Sequence, residues 1–392
     1  MTATVEVAVA GSPDGWVGRP PAPLEIAAIL FVGSVGILIA GLQPQLLGAL
    51  ALEHRIGDVE LGQAATAELL TIGVAAGLAG AILKPTGLRW WGAGAALALA
   101  VIDFLVGGQS HLGVILNRAV AGLAEGIMLW IPVSMIARSL TPGRWSGIFL
   151  AAQTLAQLGL SAVLPYFVIA KYGASGGFDA LAIASIMAAI VAFLMPREFL
   201  NLPKAEEGVH ARGAASPRAI AVLASVFLFM AFIVGLWAYF EPLSAQAGHA
   251  PHVYEIAVSV SLAAQVVGAF AASFIAGRVP YFPIVVTCTI LDLAILALLA
   301  AMPGAGTFIA LAGLFGFLWL FLMPFQVPMV IDADPSRRAA VLMPGAQLLG
   351  SALGPLLCSF AITQNDVRGG LAVCAAMLAL GFGVAAWLHY RH

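Results

Sequence analysis

The sequence predicts an all-α membrane protein: twelve transmembrane helices in two pseudo-symmetric six-helix bundles. Three observations lead there. Of 392 residues, 61% are hydrophobic and only 9% are charged, whereas soluble domains run about 45–50% apolar and about 25% charged. The mean hydropathy is +1.01, so polar residues are too few to cover a water-facing surface. Apolar windows long enough to cross a bilayer, about 20 residues each, recur twelve times. Short strings of residues also repeat at an offset of roughly half the chain.

Composition removes other classes. The net charge is −2 and no basic run exists to neutralise phosphates, which argues against a nucleic-acid partner. The three cysteines, Cys288, Cys358 and Cys374, lie far apart inside apolar runs, so no disulfide framework or thiolate metal cluster is expected. The apolar segments are too long and uniform for barrel strands, which alternate with period two. All seven histidines fall in loops or at helix ends. No His-Glu-x-x-His helix and no nucleotide-binding glycine loop occurs. The expectation is a protein that is not an enzyme and carries no cofactor and no metal.

In order, the spans cover 24–50, 62–83, 90–108, 112–137, 146–170, 177–195, 218–243, 254–277, 282–302, 306–331, 338–361 and 370–388. Breaks fall where proline, glycine and charge cluster, as at His54-Arg55-Ile56-Gly57-Asp58, Lys84-Pro85-Thr86-Gly87, Thr141-Pro142-Gly143-Arg144 and Asp334-Pro335-Ser336-Arg337. Residues 1–23 are polar and proline-bearing, without the layout of a signal peptide, and read as a cytoplasmic tail. Residues 196–217 form the longest polar connection and read as a cytoplasmic linker. It separates an N-terminal bundle, 24–195, from a C-terminal bundle, 218–392. With both termini inside, inner segments hold thirteen Lys and Arg and outer loops three, with Arg118 inside a span. That bias follows the positive-inside rule. It implies a multi-pass plasma membrane protein, of the bacterial inner membrane, with cytoplasmic termini.

The repeat is parallel. Ile39-x-Gly41-Leu42 recurs as Ile233-x-Gly235-Leu236, Pro142-x-Arg144 as Pro335-x-Arg337, and Ala152-Gln153-x-Leu155 as Ala346-Gln347-x-Leu349, at offsets of 193 or 194. Twelve spans, a six-plus-six split and parallel halves resemble the major facilitator superfamily over nearly the whole chain. Gly73, Gly77 and Gly80 before Lys84-Pro85-Thr86-Gly87-Leu88-Arg89 are similar to its loop 2–3 signature, without the acidic residue. Arg118-Ala119-Val120-Ala121-Gly122 resembles the span-4 signature of its proton antiporters. The glycine row of the span-5 signature is absent there, and a similar string, Gly350-x-x-x-Gly354-Pro355, stands in span 11. The resemblance implies that spans 1, 4, 7 and 10 line a central cavity and that transport proceeds by alternating access.

A charge inside hydrocarbon costs at least about 2.5–3.5 kcal/mol, so an intramembrane ionisable residue is a functional candidate. These are Glu68, Asp103, Arg118, Glu125, Glu241 and Asp292. Arg118, Gly122, Glu125, Leu129 and Pro132 share one helix face. Arg118 and Glu125 stand about 10 Å apart along the axis, so Arg118 needs another partner at its own depth, and Glu68 and Asp103 both fit. Glu125 is read as the site that binds and releases a proton, with Arg118 tuning it and Gly122 leaving room beside them. Glu68 is either a second protonation site or the Arg118 counter-ion. Asp103 and Asp292 are read as structural charges, Asp292 as a carboxyl bonded to a neighbouring helix, and Glu241 as a wetted helix end.

Uncharged candidates for solute contact are Gln43 and Gln45, which flank Pro44 and an expected bend, Gln153 and Gln157 one turn apart on span 5, Gln347 on span 11, and Trp237, Tyr239 and Trp319. Interhelical hydrogen bonding is the competing role for each amide. Pro324 and Pro328 mark an expected hinge in span 10. Together these lead to a monomeric, proton-coupled secondary active transporter of a small amphipathic or aromatic organic solute, with efflux by antiport favoured. Its partners are that solute, protons and the lipid bilayer. Proton-symport uptake, or uniport of an organic monoanion paired with Arg118, is the alternative. A non-transporting membrane receptor on the same scaffold is the remote one.

Overall fold

The computed structural model describes residues 15–202, 216–362 and 366–390. Residues 1–14 of the expected tail and 203–215 of the expected linker lie outside the described residues. Among the described residues, eleven helices are long and apolar enough to cross a membrane. One of them, Pro142–Leu194, has 53 residues and would be about 80 Å long as a single rod, far beyond a hydrocarbon core of about 30 Å. It contains two crossings. A π-type turn, Leu164–Ile169, ends the first, and Gly173 breaks the chain with a φ of 71°, a left-handed value that glycine adopts without a Cβ clash. Twelve crossing segments result, and below they keep the numbering of the twelve spans.

The chain divides into two compact units, Met1–Leu140 with Ala152–Pro203, and Thr141–Ala151 with Lys204–His392. The pairing among spans 2, 3, 4 and 6 recurs among spans 8, 9, 10 and 12, whereas span 7 packs along spans 11 and 12 more closely than span 1 does along spans 5 and 6. In the first unit, span 2 (Asp58–Ile82) runs along span 4 (Leu112–Ile136), and span 3 (Leu88–Leu105) packs on spans 4 and 6. In the second, span 8 (Pro251–Ile275) runs along span 10 (Ala305–Ala333), and span 9 (Tyr281–Ala300) packs on spans 10 and 12.

Hydrogen bonds carry the duplication further than residue identity does, at the same offsets as the matched strings. Gln45 Nε2 donates to Ser161 O at 3.2 Å, and its counterpart in the second unit, Tyr239 OH, donates to Pro355 O at 3.2 Å. Arg55 Nε donates to Gln109 O at 2.9 Å, and at the matching position the His249 ring Nε2 donates to Pro303 O at 2.9 Å. Glu53 Oε1 accepts from Ala174 N at 2.6 Å, and its counterpart Gln246 Oε1 accepts from Val367 N at 2.8 Å. In each pair a side chain from one element satisfies a backbone group of another. Such groups need partners because hydrocarbon offers none.

Glycines set the closest helix approaches. A Cβ on Gly122 would stand 3.0 Å from Ile72 N, and one on Gly126 2.8 Å from Ala76 N. Spans 2 and 4 therefore meet backbone to backbone, as small residues allow in membranes. The space at Gly122 is filled by span 2, which corrects the expectation that it leaves room beside the charges. In the second unit Gly316, the repeat counterpart of Gly122, meets the backbone of Ser261 on span 8 in the same way.

Two interruptions differ from expectation. Span 1 breaks between Pro23–Val35 and Leu38–Leu52, ahead of Pro44 where the bend was expected. The cause is tertiary: a Cβ on Gly36 would meet the Glu125 carbonyl oxygen at 3.2 Å, so the break seats span 1 on span 4. Span 7 ends at Ala238, and a short helix, Phe240–Gln246, follows after Tyr239. Span 10 stays helical through Pro324 and Pro328.

Candidate functional site

Span 4 is the most enclosed helix of the first unit, with sixteen buried residues from Val114 to Ile136. Enclosure lets it carry polar groups that lipid would reject. Arg118 is fully buried, and its guanidinium makes four hydrogen bonds. Nη1 donates to Glu68 Oε1 at 3.0 Å, Nη2 donates to Asp103 Oδ1 at 2.7 Å, and Nε and Nη2 reach Asn117 Oδ1 at 3.1 and 2.7 Å. The guanidinium also lies 4.7 Å from the centre of the Phe178 ring on span 6, within cation–π range.

The partners of Arg118 are themselves held. Gln43 Nε2 donates to Glu68 Oε2 at 2.9 Å, and Asn117 Nδ2 donates to Ile102 O at 2.8 Å. Spans 1, 2, 3, 4 and 6 thus converge on one cation. Both acids at Arg118's depth contact it together. Gln43 is the link from span 1 to Glu68, and Asn117 and Phe178 are members that sequence reasoning missed. Asn117 carried a signal, as the only asparagine within a span; Phe178 carried none.

Glu125 lies seven residues further along span 4, buried at 3% exposure. Its Oε2 has no hydrogen-bond partner among the described residues. The buried groups of this region therefore comprise one cation and three carboxyls. Two of those carboxyls, Glu68 and Asp103, bond the cation directly, and Glu125 does not. A neutral cluster holds two protons on the three acids, because unbalanced charge in a low dielectric is costly.

The other candidates divide. Gln45 and Gln157 bond backbone carbonyls, Ser161 O at 3.2 Å and Ile37 O at 2.8 Å, and so tie span 1 to span 5. Gln153 is half-buried on span 5. In the second unit Trp237 and Trp319 form a T-shaped pair with centroids 6.0 Å apart, both half-buried, against buried Phe240 and Phe315. Tyr239 OH bonds Pro355 O. Gln347 Nε2 and Gln326 Oε1 lack partners among the described residues. Asp292 is fully buried with both oxygens unpartnered, so the expected bond to a neighbouring helix is absent among the described residues. Glu241 is exposed.

These features define a polytopic helical membrane protein whose first unit holds a buried ion cluster and whose second holds an aromatic one. Its fold is that of the major facilitator superfamily. The structure of the E. coli fucose:proton symporter in an outward conformation matches with a TM-score of 0.72 at 11% identity, over 93% of this chain and 97% of that one. A proton:xylose symporter matches at 0.67 and 14%, over 93% and 95%. The human organic anion transporter MFSD10 matches at 0.71 and 15%, over 94% and 100%. No protein-family model matches the chain, and no curated protein sequence matches it.

Proposed function

We propose that the protein is a proton-coupled secondary active transporter of a small amphipathic or aromatic organic solute, running as an antiporter that expels it. The observation that carries this reading is Glu125: a buried carboxyl whose Oε2 has no hydrogen-bond partner among the described residues, on the helix of a cation already bonded to two other acids. A group so placed binds and releases a proton without breaking the Arg118 cluster. Its neighbour supports coupling, because the break in span 1 sits on the Glu125 backbone, and a change at Glu125 acts on the helix that also carries Gln43. Trp237 and Trp319 supply flat apolar faces, and Gln326 Oε1 and Gln347 Nε2, without partners among the described residues, supply isolated polar groups suited to such a solute. Arg118, fully buried and already bonded to two acids and Asn117, is a poor partner for a solute monoanion, which weakens the uniport reading.

Proton-symport uptake is the second reading, favoured by the two fold neighbours that are proton symporters. Purified protein in liposomes tests both. Glu125→Gln should still exchange solute across the membrane at equal concentrations and lose accumulation driven by a pH gradient. Full pH-driven transport by that variant would refute the assignment. The sign of the gradient that drives wild-type accumulation separates antiport from symport.

A further inference from the structure

At the end of the first unit where span 1 begins and span 4 ends, the described chain encloses a pocket of about 690 Å³. Four arginines line it, Arg19, Arg89, Arg138 and Arg197, with two acids, Glu25 and Glu198. Among the described residues none of the four forms an ion pair. Arg138 is the unusual one. It is only 6% exposed, with Nε on Leu200 O at 2.7 Å, Nη1 on Ser134 O at 2.6 Å and its guanidinium 5.3 Å from the centre of the Phe199 ring. Burial without a carboxylate brings its pKa down to about 10, which leaves it charged at neutral pH. A buried charge that meets only carbonyl oxygens and a ring is an incomplete site.

Backbone pairing also fixes the walls. Val17 N donates to Arg138 O at 2.7 Å, Leu140 N to Gly15 O at 2.7 Å, Leu88 N to Arg197 O at 3.0 Å and Phe199 N to Pro85 O at 2.8 Å. The arginines are thereby held around a preformed space. Trp90, 74% exposed next to Arg89, stands edge-on to Phe193, and exposed tryptophan marks the level of lipid headgroups. In the second unit the repeat counterpart of Arg138 is an acid, Asp332, which accepts from Tyr281 OH at 2.5 Å.

We propose that this pocket binds a phosphate-bearing anion, whose oxygens complete the coordination of the arginines. Guanidinium groups bind phosphate through paired, charge-assisted hydrogen bonds, and basic pockets between transmembrane helices take lipid headgroups. The chemistry is shared by an anionic phospholipid headgroup and a soluble phosphate. The site does not depend on the proposed transport cycle.

The test uses the full-length protein in neutral detergent. Thermal unfolding is followed with short-chain phosphatidylglycerol, short-chain phosphatidylcholine, inorganic phosphate or potassium chloride, at equal ionic strength. A ligand that binds only the folded state raises the midpoint in a saturable way. A rise with phosphatidylglycerol alone assigns a lipid headgroup, and a rise with inorganic phosphate as well assigns a soluble anion. Both support the site. The double variant Arg19→Gln/Arg197→Gln alters two exposed side chains, so its midpoint without ligand should equal wild type while its affinity falls about tenfold or more. Absence of any rise with the phosphate-bearing anions, or an equal response of wild type and double variant, overturns the proposal.

Discussion

At equivalent positions of the repeat, the first unit holds Gln43, Arg118 and Glu125 where the second holds Trp237, Ala312 and Trp319. The surrounding framework is shared. Gly122 and Gly316 admit a neighbouring backbone, and Gln45 and Tyr239 reach equivalent carbonyls. The repeat thus keeps contacts that satisfy backbone groups and space helices, while the side chains at these three positions differ in kind. On the proposed reading, proton handling and solute handling then sit in different units of one repeated frame.

The sharpest contrast is in sign. Arg118→Ala leaves Glu68 and Asp103 buried without their cation and should cost roughly 3–5 kcal/mol, read as a lowered unfolding midpoint and loss of transport. Arg118→Lys should recover only part, because an ammonium cannot hold two acids in a fixed fork. Asp292→Leu, which removes a buried carboxyl with no partner among the described residues, should instead stabilise the protein, by up to about 1–3 kcal/mol. If both substitutions destabilise equally, Asp292 has a partner of its own and the two units are less different than this.

The glycine pair probes what is shared. Gly122→Ala and Gly316→Ala should each cost about 1–3 kcal/mol by overpacking, measured as midpoints of the single variants, and with similar size. A cost in one unit alone would break the equivalence of spans 2 and 4 with spans 8 and 10.

The smallest effect lies at the helix-end ties. Arg368 and Gln246 donate to the Asp366 carboxylate at 2.9–3.0 Å, and these bonds, Arg368's first, hold its pKa below the usual carboxylate range. A depressed folded pKa contributes stability above the unfolded value of about 3.9 and loses it as pH falls toward the folded one. The midpoint difference between wild type and Asp366→Asn should stay constant from neutral pH to about pH 5 and shrink below.

Much of this is legible in residue order. The span count, the parallel repeat and the acids at Arg118's depth follow from hydropathy, matched strings and helix geometry. The matched hydrogen bonds stay hidden because their donors are chemically unlike, Gln45 with Tyr239 and Arg55 with His249, so no string comparison links them. The break in span 1 departs from the Pro44 expectation because it depends on Gly36 meeting span 4, and nothing local distinguishes Gly36 among 43 glycines. The arginine pocket is invisible in the sequence because its members come from four separate segments that meet only in the fold.

The order of the cluster along the chain also governs how it enters the membrane. Glu68 on span 2 and Asp103 on span 3 are synthesised before Arg118 on span 4. A lone arginine entering hydrocarbon faces the full insertion penalty of about 2.5–3.5 kcal/mol, but this one arrives where two acids are already waiting at its depth. Asn117, its immediate predecessor, arrives with it and bonds it at once. Ribosome-bound chains halted beyond span 4 should therefore already hold that helix across the bilayer, and the same chains with Glu68→Ala and Asp103→Ala should hold it less often.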